Sequence, residues 1–249
     1  LRITGRRNVV LIGGWSTMPA GRDRGEVNFL ILDKPDTLVG RIVHLEGVKI
    51  DGSGGGSSDA FRINAPKTIV QLENIRATGI IFDPKIRQHS DLVQTGGGCQ
   101  ELRIDRFTGS SQFQGFYLAQ DQGPNGRLDL RHVNLRGDGS RKIILLAIGG
   151  AINSPKTNGK RLFDLCDVPP VNLMDVYPKP SLPEDPTASV LPNGGARNPA
   201  CQAKVSADGK TLDWPDLRNR VTGLIHLGDP PDGDFVPEGA VGLDYSSPE

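Results

Sequence analysis

The residues of this chain best suited to chemistry lie in and around Lys85-Ile86-Arg87-Gln88-His89-Ser90-Asp91, its densest run of ionisable side chains. His89 is a candidate general base with Asp91 as its orienting carboxylate. Arg62 or Arg87 would neutralise the carboxylate of a uronic acid, and together these groups suit β-elimination, in which a base removes the proton beside a carboxylate. Asp59 and Asp91 form a second constellation. If they stand on neighbouring strands, their carboxyl groups lie about 5 Å apart, close enough for one to raise the pKa of the other. That spacing fits a retaining pair of hydrolytic carboxylates or a shared Ca²⁺. A competing reading makes both aspartates turn acceptors where a strand begins.

These side chains need strands to hold them, and the alternation supplies strands. Asp59-Ala60-Phe61-Arg62-Ile63-Asn64, Asp91-Leu92-Val93-Gln94-Thr95, Gln114-Gly115-Phe116-Tyr117-Leu118 and Leu145-Leu146-Ala147-Ile148-Gly149 share one pattern. Their alignment puts Asp59, Asp91 and Gln114 in one column, Arg62, Gln94 and Tyr117 in an outward column, and Phe61, Val93 and Phe116 inward. Lys85, Arg62, Gln94, Gln114 and Tyr117 are thus expected to bind substrate along an exposed polar strip.

A second pattern recurs between these segments: apolar, any, apolar, two polar or small residues, then apolar again. It reads Val43-His44-Leu45-Glu46-Gly47-Val48, Val70-Gln71-Leu72-Glu73-Asn74-Ile75, Leu102-Arg103-Ile104-Asp105-Arg106-Phe107 and Leu128-Asp129-Leu130-Arg131-His132-Val133, with a degenerate copy starting at Val10. Period-2 alternation on both sides of a two-residue break describes two short strands joined by a bend. Each period of roughly 24–33 residues supplies about three strands, and such units bury their apolar faces only by stacking. His44 and His132 fall inside this pattern and read as structural histidines.

The repeat resembles the pectate-lyase-like superfamily of right-handed parallel β-helix proteins, over roughly residues 5–150, in pattern and not in an active-site signature. The resemblance implies an all-β, right-handed parallel β-helix solenoid over 1–153, with an irregular, Pro-rich cap and tail over 154–249. That tail would pack on the helix or on a neighbouring chain. It implies a polysaccharide partner, with polysaccharide lyase preferred over glycoside hydrolase if the chain is an enzyme, and Ca²⁺ as the one cofactor to consider. The alternative within the superfamily is a non-catalytic tail spike, fibre or decoration subunit of a virion or cell surface, often trimeric. Either role places the chain outside the cell, on its surface or on a virion. Paired-aspartate and Gly-His-Gly signatures of pectin hydrolases are missing.

Composition narrows the remaining classes. Lys+Arg 29 balance Asp+Glu 29, so no basic face for nucleic acid is indicated, and no apolar run reaches the ~18 residues of a membrane span. The chain begins at Leu1 within strand-like sequence, so the natural polypeptide is expected to start upstream. Of three cysteines, Cys166 and Cys201 can bridge the tail if the chain is extracellular, and three separate thiols fit the count as well. Gly52 to Ser58 resembles a phosphate loop without its lysine and reads as a turn. No metal-binding or nucleophile-elbow motif is present.

Overall fold

The computed structural model describes residues 1–18, 27–54, 59–82, 89–118, 125–139, 144–149, 168–181, 186–192 and 201–248. It is all-β, and its strands pair mostly in parallel. The early strands are β1 (Arg2–Ile3), β2 (Val9–Ile12), β3 (Trp15–Thr17), β4 (Val27–Leu32), β5 (Arg41–Glu46) and β6 (Lys49–Asp51). The long β7 (Asp59–Ile80) pairs in turn with β4, β5 and β6. It is followed by β8 (Asp91–Ser111), β9 (Gln114–Tyr117), β10 (Leu128–Gly137), β11 (Ile144–Ala147) and β12 (Val171–Lys179).

Register places like on like. Val9, Val43, Val70, Leu102, Leu128, Val171 and Val221 form one continuous column of Cα partners. Phe29, Phe61, Val93, Phe116, Leu146 and Val190 form another. Alternate residues of a strand face opposite sides, and both columns point into one core. Phe107 and Phe116 meet edge to face there at 4.9 Å, and Phe29 stacks on Phe61 at 5.1 Å.

Two sequence expectations change. The first copy of the repeat starts at Val9, not Val10: Val9 pairs with Val43 and Val10 with His44. Val9-Val10-Leu11-Ile12 is apolar in both phases, so alternation cannot select the inward one. Pairing does, and leaves Val10 and Ile12 exposed. Parallel pairing also continues beyond residue 153. β12 pairs with β10 from Val171 to Lys179, and the short β13 (Val221–Thr222) and β14 (Ile225–His226) add to β12. The prolines around these strands masked them as rungs.

The two-residue break is a left-handed bend that recurs along the paired strands. Gly47, Asn74, Arg106, His132 and Asp175 all have φ between 47° and 69°. Asparagine, aspartate and histidine are enriched in this region, whereas arginine adopts it only where surrounding packing dictates it. The C-terminal segment runs along these bends on its own chain. Asp234 binds Arg76 at 2.9 Å, Asn134 at 3.0 Å and Arg136 at 2.7 Å. The Phe235 ring meets His132, and the Val236 amide donates to Thr108 at 2.9 Å. Tyr245 lies over Gly47 and bonds Glu46 and Asn74. No helix among the described residues is long and apolar enough to cross a membrane.

Candidate functional site

The column Asp59, Asp91, Gln114 forms as expected, but it is not an exposed strip. Asp91 pairs with Gln114, and the Asp91 amide donates to Asp59 Oδ1 at 3.0 Å. Both aspartates are completely buried and Gln114 nearly so. The reason is parity: Asp59 and Phe61 are two apart, as are Asp91 and Val93, so each aspartate shares the inward face of its hydrophobic neighbour. Asp59 is held by Arg62, whose Nε donates at 2.9 Å. Both Asp91 carboxyl oxygens are buried without a hydrogen bond. Burial first, and then the Asp59 charge, push the Asp91 carboxyl well above the usual range, against the pull of Arg62. Burial also raises Asp59.

The outward column Arg62, Gln94, Tyr117 is likewise in register. Arg62 donates to Gln94 Oε1 at 3.1 Å, while Tyr117 is covered and packs with Ala147 and Ile144. His89 is exposed and stacks on Phe113 at 4.5 Å. The expected His89–Asp91 hydrogen bond is not made, because Asp91 faces the interior with neither oxygen bonded. Lys85 and Arg87 lie outside the described residues.

Ca²⁺ does not fit the Asp59–Asp91 pair. The ion takes 6–8 oxygen ligands, whereas here two buried carboxyls are accompanied by a guanidinium. Among the described residues no group of three or more His, Cys, Asp or Glu is arranged to hold a metal. Cys99 is a free, buried thiol whose pKa is pushed up to about 12 by burial and then by Glu101. Cys201 is disulfide-bonded; Cys166, its expected partner, lies outside the described residues.

A different face carries the open groove. It has a volume of about 630 Å³ and crosses β5, β7, β8 and β10 on the outward side of the bent repeat, lined by His44, Gln71 and Glu73, by Glu101, Arg103 and Asp105 of β8, and by Arg127, Asp129 and Arg131 at β10. Its floor is ordered by register. Across β8 the outward side chains run Glu101, Arg103, Asp105. Along the next rung Arg127, just before β10, lies beside Glu101, while Asp129 pairs with Arg103 and Arg131 with Asp105. Six charges therefore alternate in sign both along and across the rungs.

Each guanidinium has a carboxylate. Arg103 donates to Glu101 at 2.7 Å, and Arg127 approaches the other Glu101 oxygen at 3.9 Å. Arg131 grips Asp129 through two bonds of 3.0 Å, and Asn172 adds a third. Burial alone would raise Asp129, but the bonds from Arg131 and Asn172 and the charges of Arg131 and Arg127 outweigh it and hold the carboxyl below its ordinary value. Hydrogen bonding to Glu101 raises Arg103, and hydrogen bonding to Asp129 raises Arg131. Asp105 Oδ1 accepts from His132 Nδ1 at 2.7 Å, and His44 bridges Gln71 and Glu46 at 3.3 and 3.1 Å.

Sequence reasoning passed over this floor in favour of the ionisable run Lys85–Asp91. A signal was present: the copies beginning at Leu102 and Leu128 carry charges of opposite sign at the same two outward offsets. No family model, curated protein or solved structure matches this chain.

Proposed function

We propose that the chain is a right-handed parallel β-helix that binds an extended polysaccharide in the groove across β5, β7, β8 and β10. The in-register columns support the helix, since rungs about 4.8 Å apart bury their inward residues only through their neighbours. The observation that carries the binding role is the groove itself. It is open, spans several rungs, and presents donors and acceptors at fixed spacing. Ligand sites of this kind fall in the range of about 300–1,000 Å³.

Binding without turnover is the reading the groove favours. Its carboxylates and guanidiniums are paired, and Asp129 is held ionised. The carboxyls pushed upward most, Asp59 and Asp91, are sealed in the core. A glycan-binding subunit of a virion or cell surface, as a monomer or trimer, fits this description, and a disulfide at Cys201 suits an oxidising compartment. A lyase centred on the exposed His89, with Arg87 and Lys85 nearby in sequence, is the catalytic alternative.

The test is gel retardation of the full chain in a panel of soluble polysaccharides, with parallel assays for unsaturated uronates and new reducing ends. Retardation without product supports binding. Unsaturated product that is lost in His89→Ala would establish the lyase reading instead. No retardation and no product across the panel would remove a glycan from the function.

A further inference from the structure

We infer that the groove selects a neutral, hydroxyl-rich glycan and rejects a polyuronate, an inference that rests on the glycan reading above. The argument is the charge pattern of the floor. Glu101, Arg103 and Asp105 on one rung face Arg127, Asp129 and Arg131 on the next, so every cation has anions beside it in two directions. Including Glu73, the groove holds four acidic and three arginine side chains.

A uronate carboxylate needs a guanidinium with unused donors and no competing anion. Here it would have to displace Glu101 from Arg103 or Asp129 from Arg131 to make a two-bond contact through Nε and Nη2, and any other guanidinium N–H it reached would lie beside a fixed carboxylate. It would also enter the field of four fixed carboxylates, where like charges repel. The bidentate Asp129–Arg131 pair, reinforced by Asn172, is the kind of charge-assisted contact that resists such exchange.

A sugar diol meets no such obstacle. A hydroxyl donates one hydrogen and accepts at two lone pairs, while a carboxylate only accepts and a guanidinium only donates. Neighbouring hydroxyls can therefore give a hydrogen bond to Asp105 or Glu101 and take one from Arg131 or Arg103, without breaking the existing pairs. Arg103, Arg131 and Asp105 remain 46%, 45% and 42% exposed, so their outer atoms are available for this. The alternation repeats from rung to rung, matching a polymer that presents similar hydroxyl sets along its length.

Two double variants shift the groove charge in opposite directions: Asp105→Asn with Asp129→Asn, and Arg103→Gln with Arg131→Gln. Full-length wild type and both variants would be run in gels containing neutral glucan, galactomannan or xylan, and in gels containing polygalacturonate or alginate, at low and high salt. Circular dichroism and urea midpoints would verify that each variant is folded. The expected result is retardation by a neutral polymer that salt barely changes, weakened about tenfold in both variants because one loses acceptors and the other donors. Retardation by the polyuronates instead, screened by salt, lost in the arginine variant and strengthened in the aspartate variant, would overturn the inference and leave the glycan reading intact. Neutral-glycan binding untouched by either variant would also overturn it, by placing the ligand elsewhere. Retardation by none of the polymers would overturn both the inference and the glycan reading.

Discussion

The main-chain amide of Asp91 donates to Asp59 Oδ1 at 3.0 Å, bringing two fully buried carboxyl groups together on neighbouring parallel strands. Arg62 donates hydrogen bonds to Asp59 but not to Asp91, whose two oxygens lack a hydrogen bond. Folding raises both carboxyl pKa values above the ordinary 3.8. Their contribution to stability is therefore full below about pH 4 and is lost as pH rises through the folded values.

Replacing Asp91 by Leu should stabilise the protein by about 1–3 kcal/mol at neutral pH, since an unsatisfied buried group is exchanged for an apolar one. The gain should shrink below about pH 4, where the aspartate is protonated in both states. Asp59→Ala should cost about 2 kcal/mol or more, because it strands Arg62 and the Asp91 amide. Urea unfolding between pH 3.5 and 8 measures both. A less stable Asp91→Leu protein would contradict the idea that this carboxyl is an energetic liability.

The C-terminal strap should be worth several hydrogen bonds. Asp234→Ala removes its links to Arg76, Asn134 and Arg136 and should cost about 2–3 kcal/mol, with faster proteolysis within 229–245. At Gly47, φ is 69° and an added Cβ would lie 2.0 Å from the Tyr245 ring. Gly47→Ala should therefore displace Tyr245, and combining it with Tyr245→Ala should cost less than the sum of the two single changes. Strict additivity would show that the ring does not rest on the bend in solution.

Thiol chemistry offers an independent test of the core and the tail. The buried Cys99, with its pKa near 12, should resist a thiol reagent in the native protein. Denaturation without reductant should expose one thiol, and reduction should release all three cysteines present. Three reactive thiols in the unreduced, denatured chain would exclude the disulfide at Cys201.

What the sequence by itself determined was the repeat and its phase wherever apolar and polar residues alternate. From Val43 to Leu135 the inward columns follow from period 2 alone, because a polar residue on either side excludes the other register. The same parity already committed Asp59 and Asp91 to the interior beside Phe61 and Val93, although their chemistry drew attention to them as surface groups. Tertiary structure decided what alternation leaves open. Val9 was chosen over Val10 by pairing with Val43 in a stretch apolar in both phases, and Val171–Lys179 became a rung by pairing with β10. The charged floor arose likewise, because Arg103 and Asp129, or Asp105 and Arg131, become neighbours only when one rung settles on the next. A strand's own periodicity sets which way each side chain points, but the stagger between distant strands sets which charges meet.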